Sequence, residues 1–119
     1  MKTGITFIAF DHLHAGYIQM LEEAKTQCDF LIVGLQTNPN SKKDYKVIAP
    51  KTVVEKYIQL SACKYIDEIV PYITEQDLED IMRSFQIDVR IIGEEYKGKN
   101  FTAKDYCITK GIEIYYNKR

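Results

Sequence analysis

The sequence has 119 residues, three cysteines and a formal net charge of -1, with 45% hydrophobic and 28% charged residues. That length suits one domain with a working core, and the balanced charge excludes the electrostatic footprint of a nucleic-acid binder. No apolar run approaches the ~20 residues a membrane-spanning helix requires, and Met1-Lys2-Thr3-Gly4 starts no signal-peptide pattern, so a soluble cytoplasmic protein without membrane contact is expected.

Ile5-Thr6-Phe7-Ile8-Ala9-Phe10 is a β-branched, nearly continuous apolar run, which predicts a strand covered on both faces. From Ala15 to Lys25 the period changes to that of a helix, with Ile18, Leu21 and Ala24 on one side. Asp29 to Leu35 predicts a second buried strand, and the polar stretch Gln36–Pro50 a long surface loop of the kind that is often functional. Thr52 and Glu55 have the spacing of a capping box for a helix reaching about Cys63, followed by a short strand at Asp67–Pro71. Thr74, with Asp77 three residues on, starts a helix whose apolar stripe is Leu78, Ile81, Met82 and Phe85. Val89–Gly93 predicts a fourth strand, Thr102–Lys110 a last helix closed by Gly111, and Ile112–Tyr116 a fifth strand. The cysteines Cys28, Cys63 and Cys107 lack Cys-x-x-Cys spacing and are expected as small buried hydrophobes in a reducing compartment.

Strands alternating with helices imply βαβ units with right-handed crossovers. The expected fold is a single α/β domain over residues 1–119, a Rossmann-like three-layer α/β/α sandwich with a five-stranded, mostly parallel sheet. In such sheets the ligand sits beyond the carboxyl ends of the strands, at the switch point. Three loops form that edge: Phe10–Gly16, Gln36–Pro50 and Glu94–Phe101.

The first of these loops joins a strand to a helix N-terminus, where free N–H groups and the helix dipole favour an anion. Gly16 allows close backbone approach there, and His14 is placed either to bond a phosphate or to serve as an ordinary hydrogen-bonding residue. Asp11 has two readings, orienting the loop or touching the ligand, and Lys42, Lys43 and Lys46 are either a solvated loop or a phosphate clamp. His12, His14 and Asp11 have no convincing further ligands, so no protein-held metal site is expected.

Phe10-Asp11-His12-Leu13-His14-Ala15-Gly16 resembles the T-F-D-x-x-H-x-G-H signature of the cytidylyltransferase-like nucleotidylyltransferases, glycerol-3-phosphate cytidylyltransferases being the nearest group. Gln27–Gly34 is similar to the family's second strand, Lys64–Val70 to its R-Y-V-D-x-V segment, and Ile92–Gly98 to its G-D-D-W-x-G loop. The resemblance implies transfer of a cytidylyl group from CTP to a small phosphate ester, with pyrophosphate released and Mg²⁺ carried by the nucleotide phosphates. It assigns His14, Lys46 and Lys56 to catalysis, Lys56 standing where the family often has arginine. Ala9, Phe10, Asp11, Gly16, Tyr17, Lys42, Lys43, Gly93, Glu94 and Glu95 fall on nucleotide-binding positions, and Lys64–Val70 on a homodimer contact.

Tyr17 stands where the signature has its second histidine, Ala9 where it has threonine, and the sequence stops at Arg119 where the family continues into a serine/threonine-rich segment. A neutral phenol donates one hydrogen bond but cannot become an imidazolium. Two readings therefore stand at this point: a cytidylyltransferase, or a catalytically impaired relative acting as a nucleotide-binding or protein-interaction module.

Overall fold

The strand that organises the molecule is β1, Thr3–Ile8, with parallel neighbours on both sides. A computed structural model of the chain describes residues 1–8, 15–36 and 53–118, excepting the side chains of residues 15, 53 and 56. The further elements are α1 (Ala15–Lys25), β2 (Phe30–Gln36), α2 (Val53–Ser61), β3 (Glu68–Tyr72), α3 (Glu75–Ser84), β4 (Val89–Gly93), α4 (Lys104–Lys110) and β5 (Glu113–Asn117). The sheet order is β3-β2-β1-β4-β5, and all described pairings are parallel. This is the expected Rossmann-like α/β fold.

Two apolar layers flank the sheet. Met20, Leu21 and Ala24 of α1 and Leu60 of α2 pack on Leu31, Val33, Leu35, Val89 and Ile91. On the opposite face Leu78, Ile81 and Met82 of α3 and Cys107 of α4 pack on Ile5 and Ile32. Side chains alternate across a strand, so Val89 and Ile91 serve the first layer while Arg90, between them, points to the second. Ile5, Leu21, Leu31 and Leu35 are fully buried, each contributing about 1.5–3 kcal/mol by leaving water. Cys63 and Cys107 are buried and Cys28 half-buried, all as free thiols.

Three aspartates preceding strands pin the amino edge of the sheet. Asp29 Oδ2 accepts from Lys2 N at 2.8 Å, Asp67 Oδ2 from Leu31 N at 2.8 Å and Asp88 Oδ2 from Thr3 N at 2.8 Å. Burial alone would raise the Asp67 carboxyl, but Lys25 Nζ and the Leu31 N–H hold it below its ordinary value. These bonds explain why β1 begins at Thr3, two residues earlier than the apolar run suggested. The expected continuation of β1 through Ala9 and Phe10, the Thr52 cap and the loop from 37 to 50 lie outside the described residues.

The helix starting at Glu75 has the expected capping box, Thr74 and Asp77 each accepting from the other's backbone N–H. The last helix is shorter than its sequence suggested: Ala103 sits at its N-cap with φ of 69° instead of continuing the helix from Thr102. The Thr102 carbonyl is taken by Arg90 Nη1 at 2.7 Å and its hydroxyl by Glu75, so the segment is fixed by tertiary bonds.

The pairing of β1 is asymmetric along its length. It pairs with β2 from Thr3↔Phe30 to Ile8↔Leu35, but with β4 only at Gly4↔Val89 and Ile5↔Arg90. Beyond Ile5 the two central strands show no further pairing to each other among the described residues, while β4 stays paired to β5 as far as Gly93↔Asn117. The sheet therefore parts at the β1/β4 switch point, towards its carboxyl edge.

Gly34 sits opposite Phe7 in the register, and a Cβ there would lie 2.3 Å from Phe7 Cδ1. Only glycine lets the Phe7 ring lie over β2. Gly34→Ala is expected to lower stability by about 1–3 kcal/mol through overpacking, read as a lower denaturant midpoint. An unchanged midpoint would show that the ring relocates without cost.

Candidate active site

A cleft of about 370 Å³ opens where β1 and β4 part. Phe7 and Ile8 line it from β1, Tyr17 from the first turn of α1, Tyr72 from the end of β3, Glu75 and Leu78 from α3, and Arg90, Ile91 and Ile92 from β4. Glu95, Tyr96, Phe101 and Thr102 close it from the segment that leaves β4. Its size is at the small end for ligand pockets, and its position is the one a doubly wound sheet reserves for ligands.

The helix behind the cleft is held along its second half. Glu23 accepts from Tyr115 Oη at 2.7 Å and from Lys118 N at 3.2 Å, and Asn117 Nδ2 donates to Met20 O at 3.4 Å. The Glu23 bond raises the Tyr115 phenol above its ordinary value. These contacts tie α1 to the end of β5 and fix where its amino end, with Gly16 exposed, meets the cleft.

Arg90 dominates the floor. It is 4% exposed, its Nη1 bonds the Thr102 carbonyl, and its Nε is buried without a hydrogen-bond partner. The guanidinium lies 4.9 Å from the Phe7 ring centroid and 5.0 Å from that of Phe101, desolvated contacts of a kind worth about 2 kcal/mol. Burial pulls its pKa below the ordinary value, with Cys107, Tyr72 and Glu75 opposing. Arginine nevertheless stays protonated at any physiological pH. Phe7 also packs edge-on against Tyr72, with centroids 5.6 Å apart.

Burial, helped by the Glu75 charge and opposed by Arg90, pushes the Tyr72 phenol up to about 12. It is therefore a neutral hydrogen-bonding group at working pH. A phenol raised in the folded state contributes stability that is full below pH ~10 and is lost as pH rises through about 12. Alkaline spectrophotometric titration should show a phenol ionising near pH 12 that Tyr72→Phe removes; ionisation of all nine tyrosines near pH ~10 would contradict this environment.

Of the residues the sequence singled out, Tyr17 and Glu95 line the cleft. Gly93 is buried at the end of β4 and caps the 3-10 turn Glu94–Tyr96, whose Glu94 is exposed. Lys56 falls in α2, with its side chain outside the described residues. Ala9, Phe10, Asp11, His12, His14, Lys42, Lys43 and Lys46 also lie outside them. Sequence reasoning missed Arg90, Tyr72, Glu75 and Thr102. The signal for Arg90 was present: a charge inside Val89-Arg90-Ile91-Ile92, a run otherwise apolar enough for a strand buried on both faces.

Comparison with known proteins agrees with this geometry. The family described as Cytidylyltransferase-like matches residues 8–109. The chain is 37% identical over 109 residues to glycerol-3-phosphate cytidylyltransferase of Bacillus subtilis (strain 168), covering 90% of this chain and 82% of that protein. It is 30% identical over 119 residues to glycerol-3-phosphate cytidylyltransferase of Staphylococcus aureus (strain NCTC 8325 / PS 47), covering 100% and 86%. Among solved structures, the lipopolysaccharide core biosynthesis protein from Thermoplasma volcanium GSS1 superposes with a TM-score of 0.74 at 20% identity, covering 99% of this chain and 95% of that one. That likeness is one of fold. No helix among the described residues is long and apolar enough to cross a membrane.

Proposed function

Because this chain belongs to the cytidylyltransferase-like family, we propose that it transfers a cytidylyl group from CTP to a small phosphorylated alcohol, glycerol 3-phosphate by default. The observation that supports this most is the cleft at the β1/β4 switch point, bordered by the amino end of α1 within the matched span.

In this reading the acceptor's phosphate oxygen attacks the α-phosphorus of CTP and pyrophosphate leaves. No covalent enzyme intermediate forms, so the protein positions two anions and stabilises charge. The amino end of α1 receives the triphosphate, with His14 and the loop residues Lys42, Lys43 and Lys46 around it and Lys56 assisting. Ala9, Phe10, Asp11, Gly16 and Tyr17 shape the phosphate turn, and Gly93, Glu94 and Glu95 border the base. Mg²⁺ enters with the triphosphate as part of the substrate.

Incubation with CTP, glycerol 3-phosphate and Mg²⁺ should release pyrophosphate, and His14→Ala should slow release by about 10²–10³-fold, the usual effect of deleting one such donor. Tyr17→His should raise the rate tenfold or more. Folded protein that binds CTP yet releases no pyrophosphate would replace this reading with that of a nucleotide-binding module, for which Tyr17 is the motivating residue.

The homodimer proposed through Lys64–Val70 gains support from its surroundings. The edge strand β3 begins within that segment, and Val54, Tyr57 and Ile58 of neighbouring α2 are exposed apolar side chains. Ile58→Glu should convert a dimeric mass in sedimentation to a monomeric one. A monomer for the unaltered chain would refute the contact.

A further inference from the structure

Arg90 raises a question that the cleft's position alone does not answer. Taking a guanidinium out of water is costly unless it is paired. Yet no carboxylate lies within 4.0 Å of it among the described residues, whose ion pairs are Lys2–Glu113, Lys25–Asp67 and Arg83–Glu79. Its contacts are two aromatic rings, a backbone carbonyl and the Cys107 thiol, and its Nε has no partner. Burial raises the Cys107 thiol, with Arg90 opposing, and Tyr72 is raised to about 12, so both are neutral at working pH. Of the carboxylates that line the cleft, Glu75 is the one whose charge acts on Arg90, and it already accepts from the Thr102 hydroxyl. The floor of the cleft therefore holds a fixed, desolvated positive charge with no directly bonded counter-ion among the described residues.

We infer that this charge is the receptor for the anionic group of the acceptor, making Arg90 the residue that selects a phosphorylated alcohol over a neutral one. The word acceptor rests on the transfer reading above; the anion site itself does not.

Geometry separates this anion from the triphosphate. Arg90 points to the sheet face covered by α3 and α4, whereas α1, whose amino end suits the nucleotide phosphates, covers the other face. The two faces meet over the edge where β1 and β4 part, and there Tyr17 and Arg90 line one cleft. An anion seated on Arg90 thus meets the triphosphate across that edge, from the face opposite α1. The Glu75 carboxylate on the cleft wall suits a hydroxylated ligand, as an acceptor for an alcohol hydroxyl. The volume of about 370 Å³ limits that ligand to a small molecule.

The test titrates the full ¹⁵N-labelled chain separately with glycerol 3-phosphate, glycerol and CTP, following the Nε–H signals of Arg83, Arg90 and Arg119. The Arg90 signal is the one lost in Arg90→Lys, or, should that variant not fold, the one slowest to exchange with solvent. Glycerol 3-phosphate should shift it saturably, and glycerol should not. Arg90→Lys keeps the charge but loses the planar fork and should weaken glycerol 3-phosphate binding tenfold or more while CTP affinity stays within twofold. An Arg90 signal unmoved by glycerol 3-phosphate overturns the inference, as does one moved by CTP alone. Turnover with an unmoved signal would sink the anion site and leave the transfer reading standing. A saturable shift without pyrophosphate release would do the reverse.

Discussion

The structure depends on how far two parallel strands stay hydrogen-bonded. The central strand β1 is held to β2 along its whole length but to β4 at only two residue pairs, Gly4↔Val89 and Ile5↔Arg90. Parallel pairing satisfies backbone groups on both strands, and past these two pairs the facing edges of β1 and β4 are no longer joined to each other among the described residues. β4 stays paired to β5 on its other edge, and Phe7 and Ile8 at the end of β1 line the cleft. Everything placed on that cleft follows: the ends of β1, β3 and β4, the first turn of α1, and the segment from Glu95 to Thr102.

Rigidity comes from the opposite edge. The aspartates at 29, 67 and 88 each bond the first amides of a neighbouring strand, which fixes strand register at the amino side and frees the carboxyl side for function. The Glu23 and Asn117 contacts add a second brace, tying α1 to β5 so that the helix end addresses the cleft at a set angle. Phe7 links fold to site. The bare backbone of Gly34 gives its ring room, and the ring in turn lies against Arg90 and Tyr72.

Much of the frame was legible in the sequence because it depends on local patterns. The apolar run at Ile5, the helical period from Ala15 to Lys25 and the Thr74/Asp77 spacing each record a contact made within a few residues. The start of β1 at Thr3 and the late start of α4 were not legible, since both are set by partners distant in sequence, Asp88 for Thr3 and Arg90 for Thr102. The same holds for the floor of the cleft. Arg90 was visible as a charge in an apolar strand, but its partnership with Phe7, Phe101 and Tyr72 exists only once three strands and the segment leaving β4 are assembled. The resemblance to the family motif implied a triphosphate around residues that include Tyr17, and carried no sign of the anion site proposed on the other face of the sheet.

The central claim is that the parted sheet holds two anionic substrates at once, one on each side of its edge. Calorimetric titration of the full chain with CTP and Mg²⁺, before and after saturation with glycerol 3-phosphate, addresses it most directly. The account predicts saturable CTP binding in both cases, with neither ligand displacing the other. Loss of CTP binding in the presence of glycerol 3-phosphate, or no CTP binding in either condition, would contradict it.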